Sequence, residues 1–326
     1  AKHPGFELIA AADTDADRIA ETKAEYGAAP YDNVEQMLDS EKPDLLVICT
    51  PTHLHAAHSQ AAFDRGIDVF LDKPVAGTAE EAYRILDASE KAGRKLMMYQ
   101  PWRLRRETLA IKEILSSGRL GDLFMIRLYT GTFVRRNDWQ ALTKYGGGML
   151  NNSGAHLLDL LVYLTGTGSW KLFSRLLNIA STGDAEDVVK VSAQTEQGLL
   201  IDLEINSANA LPGLRWTLLG NRGTAAFEEN NLGPGEFRIR YFVDEDQKPA
   251  VLNDALAAAN REYMNREEIV WRETEVDLAD IPDLDYYDHC HAYFAADELP
   301  FVPLSQTRQV IKLMELCRES NSSQEN

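Results

Sequence analysis

Cysteine is scarce in this chain: there are three in 326 residues. Cys49, Cys290 and Cys317 are too widely spaced for a disulfide framework or a zinc-ligand run. Cys49 lies inside an apolar run, where a free thiol behaves as a small hydrophobe. This usage fits a reducing compartment, and a cytoplasmic location is the expectation. The chain starts at Ala1 rather than at a methionine, which leaves room for a leader that has been removed. Long hydrophobic runs are also absent, since none approaches the roughly 18 apolar residues of a membrane helix. Positive charge is in deficit. With 33 Lys and Arg against 51 Asp and Glu, the formal net charge is −18. Nucleic acid and anionic membranes favour basic surfaces, so neither is expected as a partner. The last absence is a pattern: none of the 21 glycines forms G-x-G-x-x-G.

What is present is an alternation of apolar runs and helical segments. FELIAAAD (6–13) is followed by a helical ADRIAETKAEY that closes on Gly27. DLLVICT (44–50) precedes HLHAAHSQAAFDRG, and DVFLD (68–72) precedes KPVAGT and a helix over 79–92. KLMMYQ (95–100) is a fourth run. Continuous apolar strands separated by helices indicate a parallel sheet covered on both faces, and right-handed crossovers make it doubly wound.

After Gly121 the strands follow one another: 123–134, 188–198, 199–205, 214–220, 224–229 and 237–243. Leu199, Ile201, Leu203 and Ile205 alternate with Asp202 and Glu204, as in an antiparallel sheet with one wet face. The expected fold is α/β: an N-terminally truncated Rossmann domain over 1–120, then an α+β domain with an open, mainly antiparallel sheet over 121–326. The polar tail ESNSSQEN is expected to fray. No internal repeat is present.

A dinucleotide-binding unit opens with strand, glycine-rich turn and helix, and an acid follows about 20 residues beyond the glycines. Asp13 ends the first visible strand and suits that acid; it equally suits a cap for the helix that follows. Counting back places the glycine turn before Ala1, so the chain is expected to begin after the first strand, turn and helix. Without those amides the pyrophosphate loses its main anion site, and weak cofactor binding and low stability follow. Thr14, rather than an arginine, follows Asp13, which favours NAD over NADP, with NADP kept open.

A second motif is GGGMLNNSGAHLLDLLVYLTG (146–166). Its helix is apolar nearly all round, and Asn152, His156, Asp159 and Tyr163 fall on one stripe at offsets of four, three and four. A solvated stripe is one reading. An amide and an imidazole beside a glycine turn make a site the other.

Together and in this order, FLDKPVAGT, YQPWR, GGGMLNNSGAHLLD and GNRGTAAF resemble the Gfo/Idh/MocA family of oxidoreductases, which includes inositol dehydrogenase and glucose–fructose oxidoreductase. The resemblance spans almost the whole chain apart from the glycine loop. It implies a nicotinamide-binding Rossmann domain, hydride transfer on sugars, inositols or related polyols, and assembly into dimers or tetramers. The family's E-K-P motif matches Asp72-Lys73-Pro74, so its active-site lysine falls on Lys73, with aspartate in place of glutamate. Its D-x-G-x-H motif falls on Asn152, Gly154 and His156, keeping the histidine and turning the carboxylate into an amide. Asp159 matches the acid one turn later, which implies a place against the substrate. CTPTHLH matches the segment along the nicotinamide half of the cofactor, implying Thr50, Pro51 and His55, and Arg103 matches an arginine near the domain junction. The resemblance places Asp72, Lys73 and Arg103 against the cofactor as well.

For alcohol oxidation the chain must supply a proton acceptor. His156, near a helix N-terminus that disfavours the imidazolium, is one candidate, and a lysine of depressed pKa at position 73 is the other. In the first case Lys73 stabilises developing alkoxide. Asn152 orients a hydroxyl but relays no proton. Trp139 offers a flat wall for a sugar ring or packs beneath a loop. Arg135 and Arg136 would select a carboxylate or phosphate if they point inward. His53 and His58 are expected on a helix surface. His289 and His291 lack a third ligand, so no metal is expected. Two further readings stand beside the dehydrogenase. One is the same scaffold holding NAD tightly for transient oxidation during elimination or glycoside cleavage. The other is a non-catalytic dinucleotide sensor.

Overall fold

The computed structural model describes residues 2–211, 213–228, 235–248 and 268–323. The first hundred residues run β1 (Ala10–Ala12), α1 (Ala16–Tyr26), β2 (Ala29–Tyr31), α2 (Val34–Glu41), β3 (Leu45–Ile48), α3 (His55–Phe63), β4 (Asp68–Leu71), α4 (Ala79–Ala92) and β5 (Leu96–Met98). Local chemistry sets the helix ends. Asp15 caps α1 by accepting from the amides of Asp17 and Arg18, and Thr78 caps α4 through the Glu81 amide. Gly27 and Gly93 close the same helices with φ of 70° and 61°, a left-handed turn that glycine adopts without a Cβ penalty.

All these strands pair in parallel, as expected, but in two groups: β1 with β2, and β3–β4–β5. Among the described residues no strand joins β1 to β3. The expected strand over 6–13 is therefore short. Only Ala10–Ala12, opposite Ala29–Tyr31, finds a ladder partner. Beside the same division Val47 of β3 is 53% exposed and Leu8 and Ile9 are each 38% exposed, unlike the buried β4 and β5.

A short turn, Pro101–Leu104, leads into α5 (Arg106–Ser116). The second half holds β6 (Leu123–Gly131), α6 (Ala155–Thr165), β7 (Trp170–Leu177), β8 (Val188–Thr195), β9 (Leu200–Asn206), β10 (Leu214–Gly220), β11 (Gly223–Glu228), β12 (Glu236–Tyr241), β13 (Arg272–Asp277), α7 (Tyr286–Ala296) and α8 (Leu304–Ser322). The eight strands form one sheet in the order β13-β12-β11-β10-β6-β9-β8-β7, and every pair is antiparallel except β6–β9. Alternation buries one face. Ile126, Leu128, Val191, Leu203, Trp216 and Phe237 point into a core shared with α5, α6 and α8.

Sequence reading passed over β2, β7 and β13. β13 (RETEVD) lies at the sheet edge, where period-two apolar patterning fades. The tail expected to fray is helical through Ser322, and 324–326 lie outside the described residues, as does the last position of the strand expected over 224–229.

The two cores draw on interleaved stretches of the chain. Ala110, Ile111 and Ile114 of α5 belong to the second core. Tyr286, Cys290, Val302 and Ile311, from the chain's last fifty residues, return to the first. No helix among the described residues is long and apolar enough to cross a membrane.

Candidate active site

Ligands of parallel sheets bind beyond the carboxyl ends of the strands. Here those ends carry Asp13 (β1), Thr50 and Pro51 (β3), Asp72 and Lys73 (β4) and Gln100 (β5). Asp13 Oδ1 accepts from the Asp15 amide at 3.0 Å, and its Oδ2 is only 3.9 Å from Arg18. The cap of α1 is Asp15, so Asp13 keeps a partly exposed carboxylate at the sheet edge. Pro51 is exposed there too, and Thr50 Oγ1 lies 3.2 Å from His58 Nδ1. His58 is thereby drawn off the free helix surface expected for it.

His55 differs from its expected place against a cofactor. It is 1% exposed, with Nδ1 3.0 Å from the Pro74 carbonyl and Nε2 2.9 Å from the Thr50 carbonyl. Both nitrogens face main-chain carbonyls, of which a neutral ring donates to one side at a time, and the contact with Pro74 links the start of α3 to the lysine loop.

Lys73 lies in that loop, before a cis bond to Pro74. Its amide donates to Asp72 Oδ1 at 2.8 Å, so Asp72 shapes the turn. Its Nζ donates to the Asn152 carbonyl at 3.0 Å and to Asn152 Oδ1 at 2.9 Å. Burial pushes the Lys73 amine below the ordinary lysine value, the Asp72 carboxylate opposes that, and Arg136 adds to it.

Asn152 reaches Lys73 from Leu150–Gly154, a π-helical turn that runs into α6. Two of the glycines ahead of it, Gly147 and Gly148, stand where a Cβ would meet close neighbours. Gly148 has φ 104°, and a Cβ there would strike the Glu186 carboxylate, whose Oε1 accepts from the Leu150 amide at 3.0 Å. Asn151 donates to the Gly146 carbonyl at 2.9 Å and accepts from Arg318 of α8 at 2.6 Å.

His156 is buried on the first turn of α6. Its Nδ1 lies 2.8 Å from Gln100 Oε1, and its ring stacks on Trp102 at 4.5 Å and 14°. Burial, with the charges of Lys73 and Arg105, lowers its pKa to about 3, so it stays neutral at physiological pH.

Asp159 and Arg103, expected to meet substrate and cofactor, meet each other. Arg103 Nε and Nη2 reach Asp159 Oδ2 and Oδ1 at 2.8 and 2.6 Å, with side-chain exposures of 0% and 2%. Burial raises the Asp159 pKa while the guanidinium holds it down. Both charges are consumed in clamping α6 to the connector after β5. Tyr163 joins that side of the helix, with Arg103 4.7 Å from its ring centroid.

A crevice of about 310 Å³, counting its solvent-open part, is lined by Thr52, Lys73, Trp139, Gly146–Gly148 and Asn152. Trp139 is 48% exposed at this crevice rather than packed beneath a loop. Arg135 instead donates to the Ala180 carbonyl at 3.3 Å, and Arg136 is paired with Asp138 at 2.8 Å. Neither guanidinium is among the crevice lining. His289 stacks on Phe301 at 4.2 Å, and among the described residues no three metal-ligating groups converge.

Two profiles match in tandem. Residues 1–100 match one described as an oxidoreductase family with an NAD-binding Rossmann fold, and residues 108–226 match the Gfo/Idh/MocA C-terminal domain. The chain belongs to the Gfo/Idh/MocA family. Among curated relatives, D-glucoside 3-dehydrogenase of Escherichia coli is 30% identical over 168 residues, covering 49% of this chain and 47% of the relative. Inositol 2-dehydrogenase 2 of Saccharopolyspora erythraea is 28% identical over 246 residues, covering 73% and 69%. The chain spans about half the length of several curated relatives it matches. In fold it is similar to an NAD-binding protein from Listeria innocua, with TM-score 0.79 and 23% identity over 97% of this chain and 87% of the other. It is also similar to the WlbA dehydrogenase of Bordetella pertussis, solved with NADH and UDP-GlcNAcA, with TM-score 0.73 and 21% identity over 97% and 88%.

Within this Gfo/Idh/MocA site, sequence reasoning missed Gln100, Trp102, Thr52, Glu186 and Arg318. Gln100 and Trp102 lie in the quoted YQPWR, where only Arg103 carried a motif argument. Glu186 and Arg318 carry no local signal, because only the tertiary fold brings them beneath the glycine turn.

Proposed function

We propose that this chain is a nicotinamide-dependent dehydrogenase that moves hydride between NAD and a CH–OH group of a sugar, inositol or related polyol. The observation that carries the reading is Lys73, a desolvated amine at the crevice held by two neutral oxygens of one asparagine. A carboxylate there would favour the ammonium; a neutral amide adds no such charge, so the buried amine gives up its proton more readily than an ordinary lysine.

The residues at the strand ends fit a dinucleotide. The Asp13 carboxylate is open to ribose hydroxyls, and Thr14 beside it favours NAD over a 2′-phosphorylated cofactor. Thr50, Pro51 and Asp72 border the nicotinamide half. When bound, NAD supplies the hydride acceptor; the chain supplies the rest. Lys73 Nζ takes the hydroxyl proton. Gln100 Oε1 carries no hydrogen, so the Nδ1 it meets bears the imidazole proton, and His156 Nε2 has a lone pair for the substrate hydroxyl. Asn152 orients a neighbouring hydroxyl, and Trp139 gives the ring an apolar wall. With Arg135 and Arg136 occupied elsewhere, this reading favours an uncharged substrate at the reacting end.

We also propose a cytoplasmic homo-oligomer assembled through the polar face of its eight-stranded sheet. There Arg127, Lys190, Asp202 and Glu204 stand on adjacent strands.

A sugar and polyol panel with NAD and NADP, followed by nicotinamide absorbance, tests the proposal. Reduced cofactor formed in step with oxidised product supports it. Substrate consumed with no net cofactor reduction would replace it with transient oxidation on a retained NAD. Cofactor binding with no turnover of any panel member would replace it with the sensor reading.

A further inference from the structure

The chain crosses from its first core to its second through Gln100–Pro101–Trp102–Arg103, and this connector grips α6 at consecutive places. Gln100 meets His156 by hydrogen bond, Trp102 meets the same ring by stacking, and Arg103 meets Asp159 one turn later by a two-pronged ion pair. We propose that Gln100 and Trp102 are positioning residues that fix His156 as the Nδ1–H imidazole in one ring plane, referenced to the strand ends that carry Lys73.

The connector is itself anchored. The Gln100 amide donates to the Tyr286 hydroxyl at 3.1 Å, and that hydroxyl donates to the Met98 carbonyl at 2.8 Å. Met98 pairs with Leu71 in the β4–β5 ladder, two residues before Lys73. The Trp102 carbonyl accepts from Thr108 Oγ1 at 2.8 Å, and the Arg105 guanidinium lies 3.9 Å from the Trp102 ring centroid. The two catalytic candidates lie on opposite sides of the connector in sequence, yet both are referenced to the same pair of strands.

The tautomer follows from the partner. In water a neutral histidine carries its proton on either nitrogen, and the hydrogen bond made by one nitrogen decides the state of the other. An amide oxygen only accepts, so Nδ1 must donate and Nε2 is bare. Nε2 has no hydrogen-bond partner among the described residues, although His156 is only 7% exposed. A buried ring held on one nitrogen and stacked on one face has no freedom to exchange the roles of its nitrogens.

The test labels histidine with 15N and reads tautomers by NMR, with His156→Gln identifying the signal. The wild-type protein is expected to show His156 as Nδ1–H at neutral pH. Gln100→Leu removes the acceptor and shifts the signal toward Nε2–H, while Gln100→Glu keeps an acceptor and the Nδ1–H form. Gln100→Asn, too short to reach, stands in if the leucine variant yields no folded protein. An Nε2–H signal in the wild type, or an unchanged tautomer in Gln100→Leu and Gln100→Asn, overturns the proposal. The kinetic arm rests on the dehydrogenase reading: kcat/KM falls roughly 100-fold in Gln100→Leu. Gln100→Glu recovers part of this, with its acid limb moved upward because a carboxylate favours the imidazolium. The NMR arm needs neither substrate nor cofactor, so a failed assay leaves it standing and a failed tautomer result stands whatever the assay shows.

Discussion

The amine of Lys73 is held twice by one residue, Asn152, through its main-chain carbonyl and its side-chain oxygen. Neither oxygen bears a charge, so the geometry of an ion pair is kept while its electrostatics are removed. Asn152→Asp should restore a negative charge beside the ammonium and raise the Lys73 pKa. The alkaline-going rise of kcat/KM should then move to higher pH, with activity at neutral pH down about tenfold and the high-pH plateau retained. A pH–rate profile checks this, and an unmoved limb would exclude Lys73 as the proton carrier.

His156 links acidity to stability. Its folded pKa of about 3 lies below the 6.5 of a free imidazole, so between those values the unfolded chain binds the extra proton. The stabilisation is complete above 6.5 and is lost as pH falls, at about 1.4 kcal/mol per pH unit. Urea midpoints at pH 7 and pH 5 should fall further for the wild type than for His156→Gln.

The Arg103–Asp159 pair should behave as a buried pair. Asp159→Asn strands a guanidinium away from water and should cost about 3–5 kcal/mol, measured by denaturant unfolding. Replacing both partners by Arg103→Met with Asp159→Leu should cost less than the single change.

Trp139 should act on binding rather than chemistry. Trp139→Ala is expected to raise KM about three- to tenfold for a ring substrate with kcat nearly unchanged. Steady-state kinetics on a cyclic and an open-chain polyol separate this from a general loss of folding, since only the cyclic substrate loses its wall.

Much of this was legible in the sequence because it is local. The helix over 79–92 was written by Thr78 and Gly93, and the Leu199–Ile205 alternation announced a one-faced strand. Lys73 and Asn152 were each visible within a short motif. Their contact was not, because 79 residues separate them. His55 and Arg103 looked like ligands for the same reason: the sequence shows a polar side chain beside a motif, and only the fold shows a carbonyl or carboxylate already waiting for it. Glu186 entered no reading at all, since its role is defined by the space that Gly148 leaves open.

The return of α7 and the start of α8 to the first core sets an order in time. Tyr286, Cys290, Val302 and Ile311 complete a core whose other buried members all precede residue 99. A ribosome delivers the chain from the front, so that core waits for most of the polypeptide to emerge before its last wall arrives. The early segment should therefore expose apolar surface during synthesis, and a nascent chain halted before α7 should remain protease-sensitive where the released protein is not.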